Sequence, residues 1–144
     1  MTRSPARVPV RRRWLLIAAA SVIAAGLLTH VLGSGPLADA AGDALYAVMI
    51  YLAIAVALPR ASVIAVGAGA LVLCTLIEVF QLTGLPALWA QGFWPVRLVL
   101  GVGFDATDLV AYAAGACAAA LVDAAVSRSR ATAAAKRRPV DTAT

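Results

Sequence analysis

Apolar residues occupy four long runs in this chain, and polar or turn-forming residues separate them. Residues 14–32 carry no Asp, Glu, Lys or Arg, and at 1.5 Å per helical residue the run roughly matches a hydrocarbon core of about 30 Å. Gly33-Ser34-Gly35-Pro36 ends it as a loop. A second span is expected over 43–58, closed by Pro59-Arg60, and a third over 62–82, where Gly67, Gly69 and Ala70 offer a small-residue face for close packing. The last is expected over 106–126, with an uncharged centre at 109–122 and Gly115, Ala116 and Ala118 to Ala120 for packing.

Residues 85–101 are apolar but interrupted by Pro86, Gly92 and Pro95, and they include Arg97, which argues against a straight spanning helix. Trp89, Phe93 and Trp94 suit an aromatic belt at the membrane surface, so this stretch reads as interfacial or re-entrant. The expected fold is an all-α membrane protein: a bundle of four transmembrane helices with that segment between helices 3 and 4. A basic leader (1–13) precedes the membrane domain (14–126), and a basic tail without regular structure (127–144) follows it. Arg11, Arg12 and Arg13 before an apolar run, with Ala38-Asp39-Ala40 after it, also fit a cleaved signal, but the run is longer than a typical signal core.

Composition supports the bilayer as solvent, since 62% of the 144 residues are hydrophobic and 13% charged, against about half and a quarter in soluble domains. The net charge of +5 does not point to nucleic acid, because the cations cluster at the two ends, flanking apolar spans. By the positive-inside rule both ends and the Arg60 turn lie in the cytoplasm, and Arg97 is the strong cation on the opposite side. The expected location is a bacterial plasma membrane crossed several times, and Ala-, Val- and Arg-rich usage agrees with a GC-rich source. Cys74 and Cys117 sit in apolar runs and read as buried free thiols.

With that orientation, His30, Asp43, Glu78, Gln81, Arg97, Asp105 and Asp108 all fall toward the outer side. Ionisable groups in the bilayer cost about 2.5 to 3.5 kcal/mol each at a helix centre on insertion scales, so they face a bundle interior or a wet cavity and pair with one another. Glu78 and Gln81 are spaced i,i+3, and Asp105, Asp108 and Tyr112 i,i+3,i+7, each set on one helical stripe. The candidate ligand-binding set is therefore Asp43, Glu78, Gln81, Arg97, Asp105, Asp108 and Tyr112. The bland alternative is that Asp43, Asp105 and Asp108 cap helix N-termini. Glu78 escapes it, since it lies near a helix C-terminus among Ile77, Val79 and Phe80 and needs a partner or a proton. Arg97 is expected to pair with Glu78 or an aspartate, with a phosphate headgroup as the alternative. His30, a lone histidine, reads as interfacial; no metal site and no cofactor are expected. No nucleophile elbow, H-E-x-x-H helix or Walker loop occurs, so covalent catalysis has no visible apparatus.

Gly42-Asp43-Ala44-Leu45-Tyr46-Ala47, Ile77-Glu78-Val79-Phe80-Gln81, Arg97-Leu98-Val99-Leu100-Gly101, Gly103-Phe104-Asp105, Asp108-Leu109, Ala111-Tyr112 and Gly115 together resemble the DUF2809 family of small bacterial membrane proteins. The wider pattern, I-E-x-x-Q, then Arg, a loop and D-x-x-D-x-x-x-Y-x-x-G, is similar to the VanZ-like proteins. The resemblance covers about residues 26–123 and implies a four-helix membrane protein. VanZ-like proteins are linked to low-level teicoplanin resistance, which supplies no chemistry. One departure is Gln91, where the family resemblance implies a basic residue, and an anion bound there would be held less well. The expected function is that of an envelope membrane protein whose outer polar cluster binds a lipid or cell-wall precursor headgroup or an ion. A structural or partner-binding module, and a small hydrolase or transferase using paired carboxylates, are the alternatives. Expected partners are the lipid bilayer and a lipid-linked or anionic headgroup.

Overall fold

The computed structural model describes residues 7–136, with side chains from Arg12 onward, and these residues form six helices. α1 (Arg7–Leu32), α2 (Pro36–Ala57), α3 (Val63–Gln81) and α6 (Asp108–Lys136) are each long and apolar enough to cross a membrane. α4 (Leu85–Gly92) and α5 (Pro95–Leu100), of 8 and 6 residues, reach about 12 and 9 Å and cannot cross it. No strand occurs among the described residues. This is the expected all-α, four-span fold. Residues 1–6 of the leader and 137–144 of the tail lie outside the described residues.

Three boundaries differ from the sequence reading, each for a local reason. The helical backbone of α1 begins at Arg7, because the apolar run marks where a bilayer would start and arginine does not break a helix. α2 begins at Pro36 rather than 43: Gly35 takes φ +83° to turn the chain, and Pro36 occupies the first helical position, where its missing N–H costs nothing. α6 continues past Val126 to Lys136 through an Ala- and Arg-rich stretch of good helix formers. Residues 127–136, expected to be irregular, are therefore helical. α3 starts as expected, with the Ser62 hydroxyl accepting the Ala65 N–H as an N-cap.

α2 is the central element, packing on α1, α3 and α6, and α3 also packs on α6. The core follows the i,i+4 spacing of facing stripes: Val66, Ala70, Cys74 and Glu78 on α3, Ala47, Tyr51 and Ala55 on α2, and Tyr112 and Ala116 on α6. Small residues on all three bring the backbones close. Cys74 is buried as expected, whereas Cys117 is exposed on the surface of α6. α1 contacts α2 alone among the helices, so one flank of α2 carries it as an outrigger. The consequence is a cleft between α1 and the α5 region, with α2 between them.

Candidate functional site

At the end of the bundle where α3 stops and α6 starts, Glu78 is fully buried and receives three hydrogen bonds. The Asp105 backbone N–H donates to one carboxyl oxygen at 2.6 Å; the Tyr112 hydroxyl at 3.1 Å and the Gln81 amide at 3.3 Å donate to the other. The Gln81 Nε2 also donates to the Leu100 carbonyl at 2.8 Å. One carboxyl thus ties α3 to α6 and to the loop between α5 and α6. The Tyr46 hydroxyl adds a tie from α2 by donating to the Val99 carbonyl at 2.6 Å.

Gly101 closes this loop with φ +66°, a region that disfavours side chains, and a Cβ there would press on the Gln81 amide. The amide is therefore clamped, and its orientation is fixed: exchanging oxygen and nitrogen would set an acceptor against both the Leu100 carbonyl and Glu78. In this orientation Gln81 Oε1 is buried and has no hydrogen-bond partner, although Gln81 is only 8% exposed.

Asp105 is exposed and organises the turn before α6. Its side chain accepts the Thr107 N–H and hydroxyl, each at 2.8 Å. The first of these, then the second, holds its carboxyl below the ordinary value of 3.8. A lowered folded value means that the turn is supported above the ordinary carboxylate range and loses that support as pH falls through the lowered value. Hydrogen exchange at the Thr107 amide should accordingly be protected at neutral pH and quicken, relative to intrinsic exchange, below about pH 4. Unchanged protection down to pH 2 would contradict it.

Beside this knot lies a cavity of about 700 Å³ in the cleft bounded by α1, α2, α5 and the 101–107 loop. Of the seven residues singled out from sequence, Asp43, Gln81, Arg97, Asp105, Asp108 and Tyr112 line it and Glu78 does not. Val22, Ile23 and Leu27 of α1 give it an apolar wall. Asp43 lies about two turns inside α2, so an N-terminal capping role does not apply to it; Asp39 takes the first turn instead and also lines the cavity. A second span expected only from 43 leaves Asp39 in a loop, and the Gly35-Pro36 pair is the signal that places it on α2. Asp43 on α2 and Asp108 at the start of α6 both line the cavity.

Arg97 overturns an expectation. It is exposed in the cavity and forms no ion pair with any described carboxylate. Glu78, its expected partner, is occupied by three neutral donors behind the cavity wall. His30 is exposed on the same cavity, and among the described residues no three His, Cys, Asp or Glu side chains could hold a metal ion. Gln91 ends up exposed on α4, away from the cavity lining.

The fold and these buried polar ties define a small all-α protein with four membrane-length helices and one polar cleft. The chain belongs to the DUF2809 family, described as proteins of unknown function, whose model matches residues 32–116. That match runs from the end of α1 into α6 and so contains Glu78 and all six of the cavity-lining residues singled out from sequence, Arg97 among them. No curated protein and no solved structure matches the chain.

Proposed function

We propose that the cleft binds the phosphate-bearing headgroup of a membrane amphiphile, either a lipid or a lipid-linked cell-wall precursor, on the outer side of a bacterial plasma membrane. The observation that carries this reading is Arg97, a guanidinium left without an ion pair on a cavity whose opposite wall is apolar. Guanidinium and phosphate match in geometry and charge, and an acyl chain fits against Val22, Ile23 and Leu27. α1 contacts only α2, which leaves the cleft open along the side of the bundle, where a lipid can enter without leaving the bilayer. The volume lies within the range of about 300 to 1,000 Å³ common for small-molecule sites.

Topology agrees with the outer side. Arg12 and Arg13 at the start of α1, Arg60 between α2 and α3, and Arg128, Arg130 and Lys136 on α6 all lie at the end of the bundle away from the cleft. Cations favour the cytoplasmic face, which turns the cleft outward. The aromatic side chains of Trp89, Phe93 and Trp94 are exposed on and between α4 and α5, as suits a segment resting at the interface.

Native mass spectrometry of detergent-purified protein tests the reading. The wild type should retain a phosphate-bearing lipid, and Arg97→Gln should reduce its retention about tenfold or more, the scale of one lost charge-assisted contact. A wild type that holds no such lipid would sink it.

A further inference from the structure

Charge is distributed unevenly between the two ends of the bundle. Among the described residues, Arg97 is the sole Lys or Arg at the cleft end, whereas Arg12, Arg13, Arg60, Arg128, Arg130 and Lys136 are exposed at the other. They come from three separate helix ends that the core holds together. Leu15 packs against the same cluster as Tyr51, which sets Arg12 and Arg13 within a turn of it. The Tyr51 hydroxyl reaches Asp123 at 3.0 Å, and Arg128 and Arg130 follow on α6 about 8 and 10 Å further on. Asp123 is the one acidic residue at this end among the described residues, and its carboxyl is engaged inside the bundle by the Tyr51 and Ser127 hydroxyls.

A second observation concerns length. α6 measures about 43 Å, whereas a hydrocarbon core is about 30 Å thick and each headgroup layer about 5 to 8 Å. Counted from Asp108, the core thickness is used up near Arg128, so Arg128 and Arg130 fall at headgroup depth. Residues 125–133 are exposed throughout, which makes this stretch a helix without a protein partner on any side. A bias of cations toward one side would need only their presence in a loop. Here a helical backbone carries them to the level of lipid phosphates with no acid at hand to pair with.

We infer that this end of the bundle is a docking surface for anionic phospholipids of the leaflet opposite the cleft, with Arg128, Arg130 and Arg60 as its principal cations. Each Lys or Arg near an anionic surface strengthens attraction about fivefold, and several together make the phosphates of that leaflet the natural counter-ions. Nucleic acid is the lesser match, because helices emerging from hydrocarbon meet lipid phosphates first. Nothing in this surface depends on the cleft or on its ligand.

The test offers phosphatidylglycerol and phosphatidylcholine with identical acyl chains to detergent-purified full-length protein and counts retained lipids by native mass spectrometry. The wild type should favour phosphatidylglycerol about tenfold or more in about 0.1 M ammonium acetate. That preference should vanish near 1 M, where the screening length falls from about 10 to about 3 Å. The pair Arg128→Gln and Arg130→Gln should cut phosphatidylglycerol retention about tenfold or more at an unchanged melting temperature. The pair Arg128→Lys and Arg130→Lys should keep it within about twofold, since a leaflet reads charge rather than the guanidinium fork. Arg97→Gln should leave the preference intact. Equal retention of the two lipids, or a preference that the glutamine pair does not change, overturns the docking surface and leaves the cleft reading standing. A preference lost with the glutamine pair but indifferent to Arg97 supports it whatever the cleft binds. Displacement of the bound phosphatidylglycerol by single-stranded RNA at equal phosphate concentration overturns lipid as the occupant in favour of nucleic acid.

Discussion

Glu78→Ala should destabilise the protein by about 3 to 5 kcal/mol in thermal or denaturant unfolding from detergent. Three donors converge on this carboxyl, which is fully buried: the Asp105 N–H, the Tyr112 hydroxyl and the Gln81 amide. Each donor stranded without an acceptor costs about 1 to 3 kcal/mol, and water reaching the part-buried Asp105 N–H recovers a portion. Glu78→Gln is the informative companion. It keeps the shape and one carbonyl acceptor but turns an amide toward a donor, so its loss should be about 1 to 2 kcal/mol. The order wild type, Gln, Ala in stability is the expected result, and an alanine variant as stable as the wild type would show that the network holds nothing together. Since Arg97 lines the cleft and Glu78 does not, folded Glu78→Gln should keep its lipid retention, unlike Arg97→Gln. That contrast separates the strut from the site.

The sequence carried the four spans clearly because a bilayer demands about 20 apolar residues, a signal that survives without any knowledge of neighbours. It also carried the i,i+3 pairing of Glu78 with Gln81, which the structure places in hydrogen-bond contact. It did not carry the Asp105 partner of Glu78, because that partner is a backbone N–H and backbone groups leave no mark in residue type. The Tyr46 contact to the Val99 carbonyl was hidden for the same reason. Arg97 was assigned to a carboxylate on charge alone; the short α5 and the turn at Gly101 instead leave it on the cleft, and only the folded arrangement reveals that. Nor does an apolar run say how many sides of a helix are covered. α1 and α3 look alike in sequence, yet α3 carries five buried residues and the apolar stretch of α1 none. The cleft exists because of that difference.

Gly115→Ala should be the most damaging single-methyl change in the bundle. A Cβ at this position would fall within van der Waals radii of the Ala44 backbone carbonyl and Cα, which cannot rotate aside as a side chain end can. α2 and α6 would have to part, at about 1 to 3 kcal/mol for overpacking and more where the backbone is the obstacle. The parting falls between Asp43 and Tyr46 on one helix and Asp108 and Tyr112 on the other, so it should loosen the Tyr112 bond to Glu78 and widen the cleft wall that these residues share. Melting temperature and lipid retention should therefore fall in the same variant. Gly42→Ala and Gly67→Ala give the scale. The first meets nothing within 4 Å, and the second meets Ala120 at an ordinary 3.6 Å, so both should be neutral or gain up to about 1 kcal/mol from helix propensity. If Gly115→Ala matched these controls, α2 and α6 would not be in the close contact that sets Tyr112 against Glu78.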